Sequence, residues 1–260
     1  MASSKKPGAG KKATPSSGKP KKPSKTSAAP QSFNDEVALL LQMAAQAPVL
    51  TFPQLKSEAK LFELVVLTEI LEEFNQIGGN VFLQQPLSGT PNTFAGAPAS
   101  ADKHQFAWFD LRGPSGELHA EAWISVQFQG LSTQLALNHG GTSAAASKAS
   151  RHELDIALFT PESPAIPRLY PSHAEVMAAV SVKHVAKLQK ESVREALGFR
   201  REMGFLRRRG DRSYCPWLQE RVPCDPPSPL FLASSAPNFS TYTGHIDELG
   251  VFTRYMKFPW

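Results

Sequence analysis

Long apolar runs are missing from this chain. No stretch approaches the length of about 20 residues that a helix needs to cross a bilayer, and the basic start is not followed by the apolar segment of a secretion signal. The sequence therefore reads as a soluble, cytoplasmic protein with no membrane partner. Cysteine is scarce: Cys215 and Cys224, in Y-C-P-W-L-Q-E-R-V-P-C, could form one disulfide, but no second pair supports a zinc site. In a reducing cytosol both are expected to be free thiols. His139, His152, His173, His184 and His245 lack metal spacing such as H-x-x-x-H, and N-H-G-G-T-S lacks the glycine and lysine pattern of a phosphate loop. No internal repeat is visible at any period.

The first 32 residues hold almost nothing large and apolar and no acidic residue. Such a segment cannot bury enough surface to offset the entropy of folding, so residues 1–34 read as a disordered tail and residues 35–260 as a single domain. Separating the tail changes the meaning of the charge. Its eight lysines leave 20 basic against 23 acidic residues in the body, so the basic isoelectric point belongs to the tail. A lysine arm of this kind attracts phosphates with little sequence preference; it also suits a solubilising leader or a nuclear localisation run.

Along the body, the stretch from Ser57 to Phe74 predicts a helix. Leu61, Leu64, Val65, Thr68 and Leu71 recur at spacings of three and four, Ser57 suits the N-cap, and Gly78-Gly79 ends the pattern. A Gly, Pro, Ser and Ala segment over 86–103 reads as a flexible excursion. Residues 104–112 and 117–129 flank G-P-S-G as a hairpin, with Trp123, Ser125, Gln127 and Gln129 on the more polar face of the second strand. Trp108, Trp123, Phe106 and Phe128 read as core or cross-strand pairs. Strands over 151–159 and 175–184, a helix over 187–209, a strand at L-F-L-A-S-S-A, a short helix near 244–250 and a terminal V-F-T-R-Y-M-K-F complete the order.

The two strands R-H-E-L-D-I-A-L-F and E-V-M-A-A-V-S-V-K-H carry the sharpest signal. Each is a nearly continuous apolar run, which suits a central strand covered on both faces, yet each holds a charge, Asp155 in one and Lys183 in the other. Burying either charge alone costs several kcal/mol, so the pair is either a structural ion pair at two strand ends or a functional site.

The order helix, strands, Asp strand, Lys strand, helix, strand resembles the core of the PD-(D/E)xK restriction-endonuclease-like superfamily, over roughly residues 57–235. That resemblance implies an α/β fold with a central mixed sheet flanked by helices. It further implies a metal-dependent DNA endonuclease, in bacterial restriction or phage defence. Carried over, Asp155 and Glu63 would hold Mg²⁺ or Mn²⁺, with Glu69 and Glu58 as weaker choices for the helix acid, and Lys183 would assist the attacking water. Hard oxygen ligands suit such an ion, which polarises the phosphate and lowers the pKa of its water.

One position departs from the pattern. The acid expected two residues before the lysine is Ser181, a poor ligand for Mg²⁺. Either another acid has moved in, from Glu153, Glu191 or Glu195, or the chain is a degenerate nuclease fold that binds nucleic acid or acts as a scaffold subunit. Glu175 shares a face with Lys183 but lies about 26 Å along an extended strand. On the second helix Arg194, Arg201 and Arg208 fall seven apart, with Arg200 and Arg207 beside them and Glu191, Glu195 and Glu202 interleaved. Arg201, Arg207, Arg208, Arg209 and Lys187 are the candidate phosphate contacts. DNA is the expected partner, with RNA, a partner protein of a defence system and a second copy of the chain as further candidates.

Overall fold

The computed structural model describes residues 31–44, 57–140, 151–162, 169–206, 224–244 and 246–257. Helix α1 (Gln31–Ala44) precedes helix α2 (Glu58–Gln76) and strands β1 (Asn80–Gln84), β2 (Trp108–Arg112) and β3 (Leu118–Gln129). Helix α3 (Leu131–Asn138), strand β4 (Arg151–Phe159), strand β5 (Val176–Lys183) and helix α4 (Lys190–Met203) follow. The chain then forms β6 (Phe205–Leu206), β7 (Cys224–Asp225), β8 (Leu230–Ser234) and β9 (Val251–Tyr255). Seven strands make one mixed sheet in the order β1-β2-β3-β4-β5-β8-β9, antiparallel from β1 to β5 and parallel from β5 to β9. Helix α4 lies on the connection between the parallel strands β5 and β8, as a parallel crossover requires. The protein is thus α/β with a mixed sheet flanked by helices.

Two apolar clusters lie on the two faces of this sheet. Leu61, Phe62, Leu64, Leu67 and Leu71 of α2 pack with Leu41 of α1 and with Ala122, Ile124, Ile156, Leu158, Val180 and Val182. Ala196 and Met203 of α4 pack with Val126, Phe128, Leu154, Ala157, Ala179 and Leu232. Burying each large side chain contributes roughly 1.5–3 kcal/mol. Helix α2 is covered by α1 as well as by the sheet, so its residues from Leu61 to Thr68 are all buried, Glu63 among them.

Strands β3 and β4 alternate between the two clusters except at one place. Ala120, Ala122 and Ile124 face α2, whereas Val126 and Phe128 face α4; Ile156 and Leu158 face α2, whereas Leu154 faces α4. The register from Ile124↔Ile156 to Val126↔Leu154 is continuous, so the change of face falls at Ser125 and Asp155 in both strands together. Ser125 adopts φ +48, a left-handed conformation rare for a residue with a side chain. Its carbonyl turns to accept the Ala99 N–H at 3.0 Å, and Ala99 in turn accepts from Gln127 at 2.8 Å. The segment expected to be a flexible excursion is therefore pinned along β3 at Ala99.

Boundaries differ from expectation where short-range chemistry competes with periodicity. Strand β2 starts at Trp108 because Asp102 holds the preceding residues in a turn, accepting the His104 N–H on its carboxylate and the Phe106 N–H on its carbonyl. Helix α4 stops at Met203, and the next residue, Gly204, passes so close to Asp225 that an added Cβ would lie 2.8 Å from its carbonyl oxygen. Strand β3 has no polar face over its centre: Trp123 and Ser125 are buried. Trp108 and Trp123 stack at 5.7 Å as a pair within that core. Helices α1 and α3 and strand β1 have no counterpart in the sequence reading, and α1 begins at Gln31, inside the segment read as tail.

Candidate functional site

Ser57 caps α2 by accepting the Lys60 N–H at 3.3 Å, which sets the first turn of the helix over the sheet. One turn on, Glu63 points into the protein with only 6% of its surface exposed. Lys60 reaches it across i, i+3, with Nζ 2.7 Å from Glu63 Oε2. The same Nζ lies 2.5 Å from Ser125 Oγ, and that hydroxyl donates to Glu63 Oε2 at 3.4 Å. The change of face at Ser125 brings its side chain under the helix to meet these two residues.

Asp155 sits at the fork where β4 and β5 part. Paired residues run no further than Ile156↔Val180, and beyond them the Asp155 carboxylate accepts the Val182 N–H at 2.7 Å in place of a backbone partner. Ser181 and Lys183 fall on the face of Ala179 and Leu232, toward α4, and Lys183 Nζ lies 3.0 Å from Glu195 Oε2. His184 takes the opposite side, with its ring 5.2 Å from that of Phe62, as strand alternation requires.

The charges act on one another across this fork. Burial, then Asp155 and Glu153, push the Glu63 carboxyl up to about 7, although Lys60 opposes the shift. Burial also raises Asp155, against the hydrogen bond from Val182 and the charges of Lys183 and Lys60. Glu153 is raised by burial and by Asp155, and it too feels Lys60, Lys183 and Glu195. Asp155 and Glu153 thus stand between a Lys60–Glu63 half on the α2 side and a Lys183–Glu195 half on the α4 side. Three carboxylates raised chiefly by burial, each with a further push from a neighbouring acid, are expensive to keep, and such groups concentrate at functional sites.

Of the residues expected to form the site, Asp155 is coupled to both Glu63 and Lys183. Glu69 does not join it; Arg254 and the neighbouring Glu72 and Glu73 are the charges it feels. Glu58 lies 3.8 Å from His184. Glu191 pairs with Arg194 on the exposed face of α4, and Glu175 caps the turn before β5 by accepting the Ser172 N–H. Sequence reasoning missed Lys60 and Ser125. The spacing of Lys60 three residues before Glu63 was visible, but nothing local marked the turn of Ser125 toward the helix.

The residues expected to contact phosphate fare unevenly. Arg201 is exposed on α4 and lines a groove of about 450 Å³ with Glu195, Glu202, Ser132 and His152. Lys187 is exposed in the loop before α4. Arg207, Arg208 and Arg209 lie outside the described residues. Arg200, read as part of the arginine face, is instead buried beneath α4, donates to Cys224 Sγ and leaves Nε and Nη1 without partners.

The residues around Asp155 do not fit a divalent ion as they stand. Mg²⁺ asks for near-octahedral oxygen ligands, several of them anionic. Here one Asp155 oxygen holds Val182, Glu63 holds Lys60, and Ser181 presents a hydroxyl that is buried and makes no hydrogen bond. Among the described residues, no three His, Cys, Asp or Glu side chains are grouped to hold a metal. No helix among them is long and apolar enough to cross a membrane. No protein-family model, curated protein or solved structure matches the chain.

Proposed function

We propose that the chain is a nuclease-like domain that binds nucleic acid, DNA foremost, at the forked end of β4 and β5, and that it does so without divalent-ion cleavage. The observation that carries this reading is Ser181: where the nuclease pattern asks for a carboxylate, a buried hydroxyl stands with no partner. The rest of the site suits phosphate contact. Lys60 and Lys183 flank the carboxylates and each keeps about a fifth of its side-chain surface exposed, at 22% and 21%. Each supplies a point charge for a phosphate oxygen. Glu63, raised to about 7, carries only part of its negative charge at neutral pH, which lowers the repulsion that a phosphate meets. Arg201 and Lys187 extend the basic edge, and the lysine arm at the N-terminus adds a salt-sensitive attraction.

A second reading keeps the chemistry. Asp155 and Glu195 are among the charges that raise Glu153, and Glu195 is among those that raise Asp155, which supports either glutamate as the source of the carboxylate that Ser181 lacks. In that reading the protein is a metal-dependent DNA endonuclease, in phage defence by resemblance alone. Incubating supercoiled and linear DNA with Mg²⁺ or Mn²⁺ separates the two. A salt-dependent mobility shift without cutting supports the binding domain. Cutting that disappears in both Asp155→Ala and Lys183→Ala supports the endonuclease. Neither shift nor cutting removes both.

A further inference from the structure

Arg200 is one of the largest side chains wholly buried among the described residues, with 1% of its surface exposed. It donates to Cys224 Sγ, and its Nε and Nη1 have no hydrogen-bond partner among the described residues. Cys224 is a weak match for a full positive charge. Its sulfur donates to the Pro226 carbonyl at 2.8 Å, so it meets the guanidinium as a thiol. Nearby acids of α4 are committed elsewhere, Glu195 to Lys183 at 3.0 Å and Glu202 to the Ser132 N–H at 3.0 Å. Burial pushes Arg200 down to about 10, and no acid among the described residues draws it back up. A guanidinium buried without a counter-charge is costly to a fold, and its planar donors suit a carboxylate or phosphate.

The same residue helps to line a cavity of about 420 Å³ bounded by α3 and α4. Leu131 and Leu135 of α3, Leu197 of α4, Phe205 and Leu249 supply its apolar walls. Phe205 and Leu249 leave 47% and 39% of their surface exposed there. Size and lining are those of a small-molecule site, apolar with a convergent polar group. None of Glu63, Glu153, Asp155 and Lys183 lines it. We propose that this cavity binds a small apolar carboxylic acid, of the class of a medium-chain fatty acid, with its carboxylate as the counter-ion of Arg200 and its chain against the leucines and Phe205. The acid supplies the charge that the fold leaves out, and its chain covers apolar surface that water now meets. A bare inorganic anion would answer the charge and leave those walls wet. A neutral apolar molecule would cover the walls and leave the guanidinium uncompensated. The site stands independently of the nucleic-acid reading.

Isothermal titration of the full chain at neutral pH with octanoate, beside the neutral probe 1-octanol, tests this. The wild type is expected to take up one equivalent of octanoate and to hold it at least tenfold more tightly than the alcohol, as a charge-assisted pair with a buried guanidinium requires. Arg200→Met, which removes the charge and keeps an apolar chain, is expected to lose that preference and bind the two probes alike. Absent or unsaturable uptake of octanoate by the wild type overturns the proposal. So does equal affinity for acid and alcohol, or an Arg200→Met protein that keeps the full preference. Inorganic phosphate that competes as well as octanoate itself also overturns it, since the apolar walls would then play no part. Should Arg200→Met fail to fold, Leu135→Trp replaces it, because a larger side chain on the α3 wall fills the cavity and leaves the arginine in place. Loss of octanoate binding in that variant supports the proposal, and unchanged binding overturns it.

Discussion

The carboxylate of Asp155 accepts the backbone N–H of Val182 at 2.7 Å, across the fork where β4 and β5 separate. A side chain there does the work of a ladder partner, and the site opens just beyond it. Asp155→Ala removes the acceptor and leaves a buried N–H unsatisfied, at a cost of about 1–3 kcal/mol. Asp155→Asn keeps an acceptor oxygen. Hydrogen exchange at the Val182 amide is expected to speed up markedly in Asp155→Ala and little in Asp155→Asn; equal protection in all three proteins would show that the bond is not made.

Stability is expected to fall as pH rises through neutrality. Glu63 is raised from 4.5 to about 7 in the folded protein, chiefly by burial, so the folded state holds its proton more firmly than the unfolded chain. That preference is fully present below about pH 4.5, is lost as pH rises through about 7, and amounts to about 3 kcal/mol at most. Asp155 and Glu153, also raised, act in the same direction. Denaturant midpoints across pH 4.5–8.5 are expected to decline less steeply in Glu63→Gln than in wild type. Parallel curves would refute the assignment.

The left-handed backbone of Ser125 makes a sharper mutational prediction. With φ at +48, a β-branched side chain is strained at this position, and the residue is wholly buried besides. Ser125→Val is expected to destabilise by about 2 kcal/mol or more, adding that strain to the loss of the hydroxyl that Lys60 and Glu63 share. Ser125→Gly loses the same hydroxyl but relaxes the backbone, and should cost less. Thermal midpoints of the two variants decide it: Val no worse than Gly would mean that the backbone is not left-handed there.

Much of the frame was legible along the chain. The α2 periodicity, the Ser57 cap and the continuous apolar runs of β4 and β5 each place an element, because spacing and burial act over a few residues. Strand β4 spans 151–159, as its sequence reads. What was not legible came from competing local bonds and from distant packing. Asp102 shortened β2 from within a loop, and Gly204 ended α4 against Asp225, two interactions that periodicity does not encode. Strand β3 read as half polar because Ser125, Gln127 and Gln129 alternate, yet α2, α4 and the Ala99 segment cover its centre.

The sequence by itself determined which charges lie in apolar strands, Asp155 and Lys183, and that a neutral residue, Ser181, stands two positions before Lys183. Only the tertiary structure decided what surrounds them. Local patterns report the company a residue keeps within one turn or one pleat, and the carboxylates here interact across two helices and three strands. Lys60 meets Ser125 sixty-five positions away, and the coordinated change of face at Ser125 and Asp155 in β3 and β4 falls beside the fork where β4 and β5 part. That geometry arises from the packing of α2 on one side of the sheet and α4 on the other, a balance no single segment contains.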